Sequence, residues 1–396
     1  MRFASALTIG LVTVVYAKVA PEWLQENHST GDPPPSGRVD GVQTTVARNG
    51  QDGYNESQPA DCPTIMIASA LPDGNKDDGY QKLPTVAGFD LDRLVVDHDA
   101  NATLPYYIEN TKDLSKIKRV VITIPGAWRN VWKYVNNMRN SLVCAAARET
   151  VNADMDRILI AAPQWLNDKD VGAGAGEPSD IFFHQNSYQR GRAAAGPGGV
   201  DISSFEAMDM FVKTFWNKDV YPSLETVVVA SHYAMLRPTQ PDDPKMTFGV
   251  MNPGSFAWLV SDRPERDEGC VDTYDAWHYG IGDGKPAAFP KYIRHDALHN
   301  RSFIQERYIS RNIFYGFGTA DHGNGDTHCE AQWQGSTHIE RGRNFHTMLR
   351  DLPGGFPGRH SVDYILGVSH QDYNMMVSEA MQRKLFLFDT AYAAMP

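Results

Sequence analysis

An α/β fold, built on a mostly parallel, doubly wound sheet with helices on both faces and a loop-rich lid, is the architecture this sequence predicts. Three observations predict it. Short apolar runs rich in Val and Ile recur along the chain, as strands buried on both faces require. Stretches with helical spacing separate them, which supplies the crossovers that parallel neighbours need. The 396 residues are 42% hydrophobic and include 33 Gly and 24 Pro, suiting one large globular domain with extensive loops, or two small ones. The preferred division is a signal peptide over 1–20, a disordered or loosely ordered leader over 21–60, and a single folded domain over 61–396.

Taken in order, residues 1–20 carry Arg2, an apolar core and small residues at Val15, Ala17 and Ala20, the tripartite pattern of a secretory signal. The apolar run is shorter than the ~20 residues of a membrane span, and no later segment is long and apolar enough to cross a bilayer. Residues 21–60 hold Pro33-Pro34-Pro35 with scattered Gly and Ser and almost no apolar pattern. LDRLVVDHD and LPYYIEN, within 64–110, alternate as antiparallel strands do. KRVVITI (118–124) is a buried strand ending at Pro125-Gly126, with a helix over roughly 130–149. RILIAAP (157–163) is the next strand. A Gly-rich loop (171–199) follows, and then a helix whose Ser203 and Glu206 form a capping box. Val227-Val228-Val229 make the central strand. Met246–Phe256 holds another, running into a turn; NIFYGFG (312–318) and SVDYILGVSH (361–370) complete the set, and Asp372–Phe388 has helical spacing.

Charge and cysteine content exclude some functions. The net charge is −11, with acidic and basic residues mixed, and no Lys/Arg cluster of the kind a phosphate backbone needs is present. Nucleic acid is therefore not an expected partner; a small molecule is. The sequons at Asn27, Asn55, Asn101 and Asn300 are usable only in a secretory lumen, in agreement with the signal peptide. Cys62, Cys144, Cys270 and Cys329 are even in number without C-x-x-C spacing, so one or two disulfides are expected rather than zinc. Cys270 with Cys329 is the favoured pair because both fall in loop-like sequence; Cys144 lies in a helical pattern and also reads as a buried thiol.

In doubly wound sheets the chemistry lies just past the carboxyl ends of the strands. The central strand ends in Ala230-Ser231-His232-Tyr233-Ala234-Met235, which overlays on G-x-S-x-G with Ser231 and Met235 at the glycines and Tyr233 at the serine. After 118–124, Gly126 permits close approach and the Ala127 amide can donate to an oxyanion; the Ala234 amide is the second donor. Asp321 follows 312–318 and His370 follows the last strand, giving the chain order elbow, acid, histidine. Trp128 and His232 are placed as pocket residues. The loop from Asp321 to Glu330 holds two His and two Asp but lacks EF-hand or zincin spacing, so no metal and no cofactor are expected.

Over about 118–390 the sequence resembles the α/β-hydrolase superfamily, and more narrowly a group of secreted members related to serine esterases and lipases. Pro125-Gly126-Ala127-Trp128-Arg129-Asn130 resembles the group's His-Gly-x-Gly-Arg-Asn oxyanion turn, with Pro125 for His and Trp128 for the second Gly. Ser203–Glu206 resembles its helix opening, and Asn252–Leu259, Cys270–Gly280 and Cys329–Asn344 are similar to further segments. The resemblance implies Asp321 as acid, His370 as base and Tyr233 where the group has its nucleophilic serine.

Three functions fit these residues. One is non-hydrolytic acid/base chemistry (lyase, isomerase, dehydratase or cyclase type) on a small apolar metabolite through Tyr233, His370 and Asp321. A second is a catalytically dead binding module, favoured by the missing elbow glycines. The third is ester hydrolysis with Ser231 as an alternative nucleophile; Ser231 lies two residues before the tip, where its hydroxyl is expected to point away from His370.

Overall fold

The structure, a computed structural model, describes residues 37–39, 42–44, 61–62, 72–230, 232–266, 268–282, 289–293 and 301–388. The expected signal peptide, Asn27, Asn55, Asn300 and Ser231 lie outside the described residues, as do the side chains of His232 and Tyr233. Within the expected leader, a short antiparallel pair joins Gly37–Val39 to Val42–Thr44.

The central sheet has eight strands: β1 (Phe89–Asp97), β2 (Ala102–Glu109), β3 (Arg119–Thr123), β4 (Ile158–Pro163), β5 (Thr226–Ala230), β6 (Met246–Met251), β7 (Asn312–Gly318) and β8 (His360–Ile365). Their spatial order is β8-β7-β6-β5-β3-β4-β2-β1. The six strands from β8 to β4 run parallel, while β2 and β1 are antiparallel additions at one edge. Sequence explains the division. Every residue of β3 and β4 is buried, as the unbroken Val/Ile runs require, whereas β1 mixes buried and exposed positions as an edge strand does.

Helices cover both faces. On one face α1 (Val131–Ala147) packs Val135, Met138 and Leu142 into the layer that includes Val228. On the other, α3 (Ser204–Phe215) contributes Phe205, Phe211 and Phe215 to the layer holding Val227 and Val229, so adjacent valines of β5 serve opposite cores. Between these helices in the chain lies α2 (Asp168–Ala173). The capping box of α3 forms as expected: Glu206 N–H donates to Ser203 Oγ at 3.1 Å, and Ser203 N–H to Glu206 Oε2 at 2.7 Å.

Three helical features depart from the expectation. Helices α4 (Arg301–Ile309) and α6 (His338–Arg350), the latter after the short α5 (Cys329–Gln332), were not anticipated. The expected single helix over 372–388 is two, α7 (Asp372–Met376) and α8 (Glu379–Phe386). Ser378 breaks it, because its hydroxyl caps α8 by accepting from Met381 N–H at 3.4 Å and so competes with a continuous backbone ladder.

Both cysteine pairs are disulfides. Cys270–Cys329 forms as favoured, and Cys144, rather than being a lone thiol, is bonded to Cys62. The first of these ties the long irregular segment after β6 to the loop after β7. Within that segment Arg263 donates to Asp275 Oδ1 at 2.9 Å and to the Tyr274 carbonyl at 3.2 Å, giving the expected lid a fixed internal frame.

Candidate active site

β3 and β5 are neighbours, yet the chain leaves β3 for β4 on one side and reaches β5 on the other. A crevice opens at the carboxyl ends of such a pair. Here it is a cavity of about 750 Å³, bordered by the segments that follow β3, β5, β6 and β8. Its walls are largely apolar, with Trp165, Phe205, Met208, Phe256, Trp277 and Phe345 among them. Trp165 and Trp277 border it, whereas Trp132, Phe183 and Trp258 are core.

His370 borders this cavity, and its Nδ1 lies 2.9 Å from Asp321 Oδ2. Asp321 is wholly buried behind it. Burial pushes that carboxyl up, but His338 and His370 outweigh burial and hold it at about 2. An ionised Asp321 requires Nδ1 of His370 to carry the hydrogen, which makes Nε2 the nitrogen with the accepting lone pair. Asn252 fixes the surrounding loops: its Oδ1 accepts from Gly318 N–H at 2.8 Å and its Nδ2 donates to the Ser369 carbonyl at 3.0 Å. One side chain thereby links the ends of β6, β7 and β8.

The turn after β5 is one turn of 3₁₀ helix, His232–Met235. Ala230 and Ala234, which bracket the predicted Tyr233, both border the cavity, as does Ala127 from the turn after β3. Met235, in place of the second glycine, is 4% exposed and packed in the core. The carbonyls of the turn are held from below. Arg311 donates to the carbonyls of Ala234, Arg237 and Pro238, and Arg307 to that of Leu236.

The turn after β3 is braced in a similar way. Arg129 has a left-handed backbone (φ 59°) and forms a buried two-point ion pair with Asp170, Nε to Oδ2 at 2.6 Å and an Nη to Oδ1 at 3.0 Å. Its other Nη donates to the Ala127 carbonyl at 3.1 Å, and Tyr188 hydroxyl donates to the Gly126 carbonyl at 2.7 Å. Trp128 is not a pocket residue. It is half-buried beside the cavity turn, with Lys76 Nζ 5.3 Å over its ring and its carbonyl accepting from Tyr80 hydroxyl.

One residue the sequence did not single out stands beside the pair. His338, 7% exposed, places Nδ1 3.0 Å from Asp321 Oδ1, and its ring stacks on His370 with centroids 4.2 Å apart and planes 20° apart. The pair does not make a well-formed hydrogen bond, and among the described residues neither Nδ1 nor Oδ1 has another partner. Ser336-Thr337-His338-Ile339-Glu340 contains the signal that locates it, a T-x-x-E helix opening: Thr337 Oγ1 accepts from Glu340 N–H at 3.3 Å. The ligand atoms of Asp321, His338 and His370 lie within 4.8 Å of one another. That spacing alone suits a cation, but a metal bound by imidazole sits in the ring plane at about 2.0–2.1 Å. Two nearly parallel planes stacked at this separation meet far outside bonding reach, so the arrangement suits protons.

Similarity to known folds agrees with the strand order. The solved structure of poly(aspartic acid) hydrolase-1 from Sphingomonas sp. KT-1 superposes with a TM-score of 0.50 at 15% identity, covering 75% of this chain and 98% of that one. The chain has the α/β-hydrolase fold. Poly(3-hydroxybutyrate) depolymerase LpqC from Bordetella parapertussis matches with a TM-score of 0.46 at 17% identity over 72% of this chain and 86% of its own. An S-formylglutathione hydrolase from Agrobacterium tumefaciens matches at 0.39 and 9% identity over 81% and 97%. No protein-family profile matches the chain, and no curated protein sequence does. The turn that overlays on G-x-S-x-G follows β5, and Asp321 and His370 stand in the loops after β7 and β8.

Proposed function

We propose that this chain is a secreted protein of α/β-hydrolase fold in which Tyr233 stands where an attacking serine would, and that it performs non-hydrolytic acid/base chemistry on a small, largely apolar metabolite. The observation that carries the reading is the bond between His370 and the buried, ionised Asp321 at the edge of a cavity bordered by both neighbours of the elbow turn. Such a pair orients an imidazole for proton transfer whether or not a nucleophile is present. A phenol near its ordinary pKa of about 10 is a poor acyl carrier but a good hydrogen-bond donor, which suits Tyr233 to protonating or polarising a substrate oxygen. His370 takes a proton from carbon or oxygen, and the amides of Ala127 and Ala234 stabilise charge on an enolate or alkoxide. The cavity volume falls in the range of small-molecule sites. Export is supported by the N-terminal apolar segment, the sequons and two disulfides.

Two measurements test the reading. Fluorophosphonate labelling and a p-nitrophenyl ester panel are expected to detect no activated serine; labelling at Ser231 would restore the esterase alternative. Wild type and His370→Ala, each incubated with a metabolite extract and compared by mass spectrometry, are expected to differ in metabolites consumed. If both retain the same ligand unchanged, the protein is a binding module and the catalytic reading fails.

A further inference from the structure

The loop between β7 and α5 carries another carboxylate–imidazole pair, which the function proposed above does not use. His328 Nδ1 lies 2.6 Å from Asp326 Oδ1, and both residues border the same cavity as His370. The side chains are 67% and 18% exposed respectively, so the acid stands behind and the ring in front, as Asp321 and His370 do. The acid is held from several segments. Tyr279 and Ser255, both from the segment after β6, donate their hydroxyls to Asp326 Oδ2 at 3.0 Å and 3.3 Å. Arg341 of α6 and Gln332 of α5 donate to its carbonyl at 2.8 Å and 3.3 Å. The backbone that carries the ring is fixed as well: the His328 carbonyl accepts from Ala331 N–H at 3.0 Å, and the next residue, Cys329, is bonded to Cys270.

An aspartate in an ordinary loop turn accepts from the backbone N–H two places on, and Asp326 does so, taking His328 N–H at 3.0 Å. Such a turn needs neither the ring nor two hydroxyls from another segment. Four donors gathered on one carboxylate are what aligning an imidazole requires. Burial pushes the Asp326 carboxyl up, but the bonds from His328 and Tyr279 outweigh it and hold the group below the ordinary carboxylate range. An ionised carboxylate only accepts, so Nδ1 of His328 carries the hydrogen and Nε2 has the lone pair. Glu330, two residues on, accepts from Thr273 Oγ1 at 2.6 Å, which leaves Asp326 as the acid that aligns the ring. Of the other charged residues bordering the cavity, Asp372 is bound to Lys133 and Tyr134, and Arg190 is exposed.

We propose that His328, aligned by Asp326, is a second catalytic proton carrier of this cavity and serves a substrate oxygen at its solvent side. As an imidazolium it gives its Nε2 proton to that oxygen: the N–H bond breaks, an O–H bond forms, and the neutral ring keeps its Nδ1 hydrogen on Asp326. The exposed ring then regains a proton from solvent. The proposal rests on the acid/base function proposed above and narrows its substrate to an apolar metabolite with an oxygen that reaches the rim.

His328→Gln tests this, because an amide still donates to Asp326 Oδ1 but carries no proton across. Wild type and variant, each as the full chain, are incubated with the metabolite extract and followed by mass spectrometry between about pH 5 and pH 8. The variant is expected to retain the metabolites that wild type retains and to consume them roughly tenfold or more slowly, with one imidazole limb missing from its pH profile. Equal rates and profiles overturn the proposal. A second measurement uses wild type alone and so survives a variant that fails to fold. Acylation of His328 by diethyl pyrocarbonate, mapped by peptide mass against the exposed His98, is expected to slow when the extract is present; an unchanged ratio overturns the proposal. Consumption that stops in His370→Ala but continues normally in His328→Gln sinks this proposal alone. No consumption by wild type sinks the acid/base function and this proposal with it.

Discussion

Asp321→Asn is the perturbation that tests the buried acid most directly, because it keeps the shape and removes the charge. In the folded protein the Asp321 carboxyl titrates at about 2 rather than the ordinary 3.8. At about 1.4 kcal/mol for each pH unit, that difference is worth about 2 kcal/mol to the folded state. Since the folded value lies below the unfolded one, the contribution is complete above about pH 4 and is lost as the pH falls through 2. An asparagine can accept from only one of the two imidazoles and turns an N–H toward the other, so the substitution adds a mispaired buried donor. Urea unfolding with the disulfides intact, at pH 5 and at pH 2.5, measures the gap between wild type and variant. A gap of about 2 kcal/mol or more at pH 5 that narrows at pH 2.5 is expected. A gap of the same size at both values would mean that the destabilisation comes from shape alone and that the carboxylate is not held ionised by the two histidines.

Arg129→Ala strands Asp170, which is fully buried, and removes the donor to Ala127; a loss of about 3–5 kcal/mol in urea unfolding is expected, and a loss under 1 would show the pair to be dispensable. Gly325→Ala must both strain a left-handed backbone and push a methyl into His338, so a cost of about 1–3 kcal/mol is expected, whereas Gly323→Ala should be tolerated. Differential scanning fluorimetry of the two alanine variants side by side checks this, and equal melting temperatures would refute it. Arg311→Met leaves the carbonyls of Ala234, Arg237 and Pro238 without their cation; hydrogen exchange of the amides in 234–237 is expected to accelerate at least tenfold, with unchanged exchange there counting against the anchoring role.

The strands were legible because burial on both faces leaves a plain trace. NIFYGFG is read as 312–318 and is a strand over those residues, and the ends of β3, β4 and β6 fall within a residue or two of the turn formers that bound them. The helix α6 was not legible. Four of its thirteen residues, Glu340, Arg341, Arg343 and Arg350, are charged, and its buried stripe includes Arg341 itself, with no exposure. That guanidinium donates to the carbonyls of Gly254, Asp326, Ala331 and Gly335, joining three separate loops. An arginine whose task is to satisfy loop carbonyls looks, in sequence, like any solvated one. His338 was missed for the same reason: its partner stands seventeen residues earlier, across a loop whose path no periodicity reports. Chain order found Asp321 and His370 because the fold presents them at strand ends; it had no way to find a residue that enters the site from a helix start.

The same reasoning bears on Ser231 and Met235, which overlay on the glycines of G-x-S-x-G. A glycine at such a turn accommodates a close approach of neighbouring elements, a freedom that Ser and Met side chains at these two positions lack. The structure supplies a different constraint. Met235 is taken into the core, and Arg311, 3% exposed and seated just before β7, grips the carbonyls of Ala234, Arg237 and Pro238 together with Asp243. Burying a guanidinium is costly unless its donors are satisfied, so the turn and Arg311 stabilise each other: without the carbonyls the cation is stranded, and without the cation the carbonyls are. A turn held by such mutual need keeps its place without glycines at those positions. It stays at the end of β5, with Ala230 and Ala234 still bordering the cavity that His370 faces. Side chains at the glycine positions of the pattern are therefore compatible with a formed turn, on which the proposed role of Tyr233 depends.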